Sequence, residues 1–149
     1  MPEQIKHSLK GITLLDGLDD KQISSLEERC SWHSYDPEEQ IIDRHDENRD
    51  VFFIVEGSVR IVNYSLSGRE IAFDDLMAGK YFGELAAIDG GPRSANVITL
   101  GPTTVAIVSP KAFHDFLIDH PAIGFKVMRH LSHIVRQATE RIMDLSTLG

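Results

Sequence analysis

The chain of 149 residues has room for one domain and a short appendage. It carries 15 lysine and arginine residues against 23 aspartate and glutamate residues, and the formal charge of −8 makes it a poor candidate for holding a nucleic-acid backbone by itself. The single cysteine, Cys30, excludes an internal disulfide, and no apolar run is long enough to cross a membrane. No secretory signal pattern opens the sequence, so a cytoplasmic location is expected.

The first clear element is a helix. Asp19 is a favourable N-cap residue, and Gln22, three positions later, completes the pattern of a capping box. We expect this helix to span residues 20–29, with Ile23 and Leu26 facing the core. Upstream, apolar residues indicate another short helical piece: Ile5, Leu9, Ile12, Leu14 and Leu15.

The middle of the chain is predicted to be β-structure. From Trp32 onward, short runs rich in β-branched and aromatic residues are separated by glycine, proline and polar turns. Because no long helix comes between consecutive runs, the pattern favours an antiparallel sandwich or barrel. The predicted strands are 41–42, 51–55, 59–64, 69–76, 97–100 and 103–108.

Two helices follow the strands. Pro110 opens the first behind the N-cap residue Ser109, and Pro121 opens a longer helix that ends near Leu145. Along the longer helix, small and apolar residues recur in alternating steps of four and three, the heptad pattern of a coiled-coil seam: Gly124, Met128, Leu131, Val135, Ala138, Ile142 and Leu145. A parallel homodimer through this seam is the stronger interpretation, and a helix packed along its own barrel is the alternative.

Segment 82–95 combines features suited to an anionic ligand. Gly83 lets a ligand approach the backbone closely, and the residues after it are predicted to form one helical turn that ends at Gly90. The amides of Leu85 and Ala86 at the start of that turn would make a small anion site.

Three side chains of the same segment indicate the class of ligand. Arg93 offers a guanidinium fork that can hold two oxygens of one phosphate, and Ser94 adds a hydroxyl beside it. The carboxylate of Glu84 would repel a bare phosphate but can accept a hydrogen bond from a hydroxyl. Together they fit a sugar phosphate with a free 2′-hydroxyl. The alternative is an internal salt bridge between Glu84 and Arg93.

The sequence of segment 82–95, FGELAAIDGGPRSA, resembles the phosphate-binding cassette of cyclic-nucleotide-binding domains. Residues 53–57 are similar to the family's phrase F-I-V-x-G, and the resemblance covers nearly the entire chain. It is strongest to the Crp/Fnr class of transcription regulators. It implies a mainly β fold with flanking helices, in which a cyclic-nucleotide-binding β-roll with N-terminal helices (1–120) is followed by a dimerisation helix and hinge (121–149).

The resemblance also implies roles for individual residues. Glu84 would accept a hydrogen bond from the ribose 2′-hydroxyl, while Arg93 and Ser94 would bind the cyclic phosphate. Ile61 and Phe73 correspond to the apolar wall around the base. Backbone amides near the phosphate, and a hydroxyl on the last helix that faces the base partly across the dimer, complete the set: Gly83, Leu85, Ala86 and Thr139.

Three departures from the family's pattern stand out. Glu39 and His45 occupy turn positions that hold glycine in the family, which puts local turn geometry in question more than ligand binding. The spacing from Glu84 to Arg93 is one residue shorter than in the best-known bacterial receptor and matches the more general cassette, including that of kinase regulatory subunits.

The resemblance implies binding rather than catalysis, and the residues offer no nucleophile–base pair, second carboxylate or metal set. The expected ligand is cAMP, with cGMP as the alternative, and no cofactor is required. The favoured function is the sensor half of a Crp/Fnr-type regulator, which would reach DNA only through a helix-turn-helix domain absent from this sequence and has no role at a membrane. The alternatives are a stand-alone, enzyme-, kinase- or channel-associated regulatory module, and a ligandless dimerisation domain.

Overall fold

The computed structural model describes residues 7–147, so the predicted apolar position Ile5 lies outside the described residues. The chain divides into a compact unit that ends at Phe116 and a second that begins at Leu117. The domain limits 1–120 and 121–149 stay a prediction.

The first unit contains two antiparallel sheets of four strands each. The strand order is β1-β8-β3-β6 in the first sheet and β2-β7-β4-β5 in the second. Consecutive strands therefore lie in different sheets, except for the β4–β5 hairpin within the second sheet. The strands are β1 Ser31–Tyr35, β2 Gln40–Ile42, β3 Val51–Glu56, β4 Ser58–Tyr64, β5 Glu70–Met77, β6 Tyr81–Phe82, β7 Asn96–Thr99 and β8 Thr103–Val108.

The hydrophobic core draws on strands of both sheets. Phe52, Ile54, Phe82 and Val105 come from the first sheet, and Ile42, Val59 and Val97 from the second. All seven are buried and form one cluster. Burying this apolar surface on both inner faces is what holds the two sheets together.

The N-terminal elements follow the sequence closely. A short 3-10 helix spans Thr13–Leu15, and α1 spans Asp20–Glu27. The capping box is confirmed: Asp19 Oδ1 accepts from the Gln22 amide at 2.8 Å, and Gln22 Oε1 accepts from the Asp19 amide at 2.9 Å. The helix ends two residues earlier than predicted because the Arg29 amide donates to the Leu26 carbonyl, which tightens the last turn.

Three further helices complete the described structure. Helix α2 spans Glu84–Asp89, α3 spans Pro110–Asp119 and α4 spans Pro121–Thr147. Ser109 Oγ accepts from the Ala112 amide at 3.1 Å and so caps α3. The predicted architecture, a β-roll with flanking helices and a long C-terminal helix, is confirmed.

The two turns that lack the family's glycine form in different ways. In the first, the left-handed residue is Glu38, with φ 59°, rather than Glu39. In the second, the carboxylates of Asp43 and Asp46 accept backbone hydrogen bonds inside the turn, and His45 keeps a negative φ. In the second turn, side-chain hydrogen bonds thus stabilise a geometry that the family obtains from the conformational freedom of glycine.

The first turn is held by a buried hydroxyl from the neighbouring sheet. Thr99 Oγ1 donates to the Asp36 carbonyl at 2.6 Å and accepts from the Glu39 amide at 2.8 Å. Thr99 is 1% exposed, so its buried hydroxyl depends on these two partners.

We expect Thr99→Val to lower the free energy of unfolding by about 1–3 kcal/mol, the net contribution of the two hydrogen bonds that its hydroxyl makes. Urea denaturation followed by circular dichroism measures the change. Thr104→Val is the matched control, because that hydroxyl meets only Ser34 at an exposed position, and it should stay within about 0.5 kcal/mol of the wild type. Equal effects of the two substitutions would contradict this account of the turn.

Candidate functional site

Segment 82–95 connects one sheet to the other. It leaves β6 in the first sheet, passes through α2, and enters β7 in the second sheet. Gly83 precedes the helix with φ 87° and Gly90 follows it with φ 70°, as the predicted single turn with a glycine C-cap requires. The Gly90 amide donates to the Ala86 carbonyl at 2.9 Å, which closes the helix.

Arg93 is buried, and both of its terminal nitrogens donate hydrogen bonds. Its Nη1 donates to the Gly83 carbonyl at 2.9 Å. Its Nη2 donates to the Asp50 carbonyl at 2.9 Å and to Asn48 Oδ1 at 3.2 Å. The guanidinium also lies over the ring of Phe52, 5.8 Å from its centroid. These contacts hold the side chain in a fixed position.

Burial disfavours the charged form of the Arg93 side chain. The residue is 6% exposed, and burial lowers the pKa of its guanidinium, while the Asp50, Asp46 and Glu84 carboxylates oppose that shift. Within residues 7–147, the buried Nε of Arg93 has no hydrogen-bond partner. A buried donor without an acceptor favours the approach of an anion that can supply one.

The remaining predicted cassette residues divide between the interior and the surface. Glu84, the first residue of α2, is 5% exposed, and Ala86 is also buried. Leu85 and Ser94 are exposed. The structure thus brings a buried carboxylate, a buried guanidinium and an exposed hydroxyl into one short segment, beside the first turn of a helix whose amides lack intrahelical acceptors.

Two asparagines that sequence reasoning missed hold the far end of the segment. Asn63 on β4 donates from Nδ2 to the Ser94 carbonyl at 3.1 Å. The buried Asn96 on β7 donates to Asn63 Oδ1 at 3.4 Å and accepts from the Arg44 amide at 2.9 Å. These contacts join positions 31 to 52 residues apart in the chain, so no local pattern could have found them.

The end of α2 is held by a third missed residue. His114 on α3 donates from Nε2 to the Ala87 carbonyl at 2.6 Å, because a carbonyl can only accept. Carbonyls in the last turn of a helix lack intrahelical donors, so this imidazole acts as a cap supplied by another helix.

The two predicted base-wall residues lie on adjacent strands of the second sheet. Ile61 on β4 is half-buried and pairs with Val97, just beyond the cassette. Phe73 on β5 is 40% exposed. Ile61 pairs with Asp74 and Val62 with Ala72, so Phe73 is the extra residue of a β-bulge. Bulges redirect side chains next to binding sites, which suits the predicted role of Phe73.

Thr139, the last predicted site residue, lies on α4 in the second unit. Its hydroxyl donates to the Val135 carbonyl at 2.9 Å, one helical turn back. Its proposed contact with a base stays a prediction.

The comparisons with known proteins place the chain in a family. Residues 32–120 match the family model described as "Cyclic nucleotide-binding domain". The chain belongs to that family. No helix in the described residues has the length and apolar character needed to cross a membrane.

Three relatives illustrate the similarity. The chain is 25% identical to the cAMP-activated global transcriptional regulator CRP of Haemophilus influenzae, over 80% of this chain and 54% of that protein. It is 34% identical to the cAMP-dependent protein kinase type II regulatory subunit of Drosophila melanogaster, over 73% of this chain and 29% of that protein. The chain thus spans about half or less of these relatives.

The third relative is a solved structure, the catabolite activator protein of Thermus thermophilus. The two folds superpose with a TM-score of 0.81 at 22% sequence identity, over 89% of this chain and 62% of that one. At this identity the likeness concerns the fold. The cyclic-nucleotide-binding domain identified here is thus related to regulators of two kinds, one bacterial and one a kinase subunit.

We expect Gly83→Ala to lower the free energy of unfolding by about 1–3 kcal/mol more than Gly68→Ala does. Both glycines have a positive φ, so both substitutions carry the same backbone strain. Only at Gly83 would the new Cβ meet other atoms, the Asp50 carbonyl oxygen at 2.8 Å and Arg93 Nη1 at 2.9 Å, whereas Gly68 has open space. Chemical denaturation of both variants measures the difference, and equal destabilisation would show that close packing at Gly83 is unimportant.

Proposed function

We propose that this domain is a cyclic-nucleotide sensor in which segment 82–95 binds the cyclic phosphate and the ribose. The observation that carries the proposal is the buried Arg93. It is held in place beside the start of α2, and among the described residues its Nε has no hydrogen-bond partner. A cyclic phosphate would supply the missing acceptor together with compensating charge. The same segment contains the buried carboxylate of Glu84, which suits a ribose hydroxyl rather than an anion.

The remaining roles follow from the family pattern. We infer that Ser94 and the amides of Gly83, Leu85 and Ala86 assist Arg93 at the phosphate. Ile61 and Phe73 would line the base, with Thr139 on α4 as a further contact. We propose cAMP as the ligand, because both curated relatives are named for cAMP. The domain would act by binding and would release the nucleotide unchanged.

We further propose that the domain serves a transcription regulator and dimerises through α4. The seam residues Met128, Val135, Ile142 and Leu145 are each more than half exposed, and apolar side chains repeated at heptad spacing are stabilised by a second copy. In such a protein α4 would lead to a DNA-binding domain, and ligand would bias the dimer helix. The roll would comprise residues 1–120 and the dimer helix with its hinge 121–149.

A regulatory module of the kinase type is the second candidate. Its support is the 34% identity to the Drosophila regulatory subunit, higher than the 25% identity to the Haemophilus regulator. The self-association of α4 distinguishes the candidates, because the proposed regulator needs a dimer through that helix.

We expect Arg93→Ala to weaken cAMP binding by about 1.5–3 kcal/mol, the contribution of a set of charged hydrogen bonds. Isothermal titration calorimetry with cAMP, and with cGMP for comparison, measures the loss. Arg93→Lys keeps the charge without the planar fork and should recover only part of the affinity. Arg69→Ala removes an exposed positive charge at the β4–β5 turn and is the matched control.

Circular dichroism must show that each variant is folded, since Arg93 also holds the backbone at Gly83 and Asp50. Unchanged affinity in a folded Arg93→Ala protein would mean that this arginine is structural and that the cassette assignment is wrong.

We expect Val135→Lys to convert the protein from dimer to monomer, because it places a charge in the centre of the α4 seam. Light scattering at high micromolar concentration measures the change in mass. Gln137→Lys adds the same charge at an exposed position outside the seam and should leave the dimer intact. A wild-type chain that is monomeric at this concentration would contradict the proposal.

A further inference from the structure

The side chain of Asn48 lies between the cation of the site and a neighbouring carboxylate. Its Oδ1 accepts from Arg93 Nη2 at 3.2 Å and from the Asp50 amide at 2.7 Å. Its Nδ2 donates to Asp50 Oδ2 at 2.9 Å. All three contacts agree on the orientation of the amide, because the oxygen meets only donors and the nitrogen meets an acceptor.

This arrangement determines what kind of acceptor meets the guanidinium. The three acceptors of the Arg93 terminal nitrogens, the Gly83 carbonyl, the Asp50 carbonyl and Asn48 Oδ1, are all uncharged oxygens. The Asp50 carboxylate belongs to the same residue as one of those carbonyls, yet its Oδ2 is hydrogen-bonded to the amide of Asn48. A carboxylate in direct contact with arginine forms shorter, charge-assisted and often bidentate bonds. Such a bond would compete with a phosphate for the same donors.

We propose that Asn48 is a positioning residue that holds the Asp50 carboxylate away from Arg93, so that the guanidinium is kept for an anionic ligand. The inference rests on the proposed function of Arg93 in binding the cyclic phosphate. Asn48 can do this because a neutral amide offers both a donor and an acceptor: it satisfies the carboxylate on one side and the guanidinium on the other. Neither an apolar nor an acidic side chain could do both.

The test is a set of variants titrated with cAMP by calorimetry. Asn48→Ala removes the donor to the Asp50 carboxylate, which is then free to pair with Arg93, and should weaken binding about tenfold. Asn48→Asp places a carboxylate directly against Arg93 Nη2 and should weaken binding at least as much. The double variant Asn48→Ala/Asp50→Asn has no competing carboxylate and should bind cAMP within about threefold of the wild type.

Two controls separate this role from a merely structural one. Asp43→Ala removes a side-chain acceptor for the His45 amide in the same loop, and it should leave affinity unchanged. Thermal unfolding must show that every variant is folded. The inference is overturned if Asn48→Ala binds like the wild type, or if the double variant binds as weakly as Asn48→Ala. Failure of the wild type to bind either cAMP or cGMP would instead refute the proposed function and remove the basis of the inference.

Discussion

The site depends on one constraint, the burial of a positive charge. A guanidinium that is almost fully enclosed must find its acceptors within the protein, since water cannot reach it. Arg93 finds them on separate stretches of chain: the residue before α2, the residue before β3, and the loop that precedes it. The two backbone carbonyls are in turn fixed by the arginine. The local shape of segment 82–95 and the burial of this charge therefore depend on each other.

Neutral side-chain amides hold the backbone around segment 82–95 in place. Asn96 holds the loop that begins at Asp43 through the Arg44 amide, and Asn63 holds the carbonyl of Ser94. Charged side chains could make comparable hydrogen bonds, but each would add a competitor or a repulsive group near the proposed phosphate position. Neutral amides fix the backbone on both sides of segment 82–95 without adding a net charge beside it.

The sequence predicted those features that depend on neighbouring residues. The capping box at Asp19, the glycine that ends α2 and the strand 103–108 all rest on local patterns, and all three are found. The motif of segment 82–95 could be recognised because its residues are contiguous. Asn48 could not be found in this way, because it meets Arg93 across 45 residues of chain. The two-residue strand β6 is too short for any periodicity, and it exists because β3 pairs with it.

Helix α2 is held by hydrogen bonds at both of its ends. At its start, the Gly83 carbonyl accepts from Arg93 Nη1, and at its end the Ala87 carbonyl accepts from His114 on α3. Two side chains from outside the helix therefore fix six residues that can form few intrahelical hydrogen bonds of their own. A helix this short is stabilised mainly by such contacts rather than by its own propensity. The geometry of the helix N-terminus beside Arg93 thus depends on α3 as well as on segment 82–95 itself.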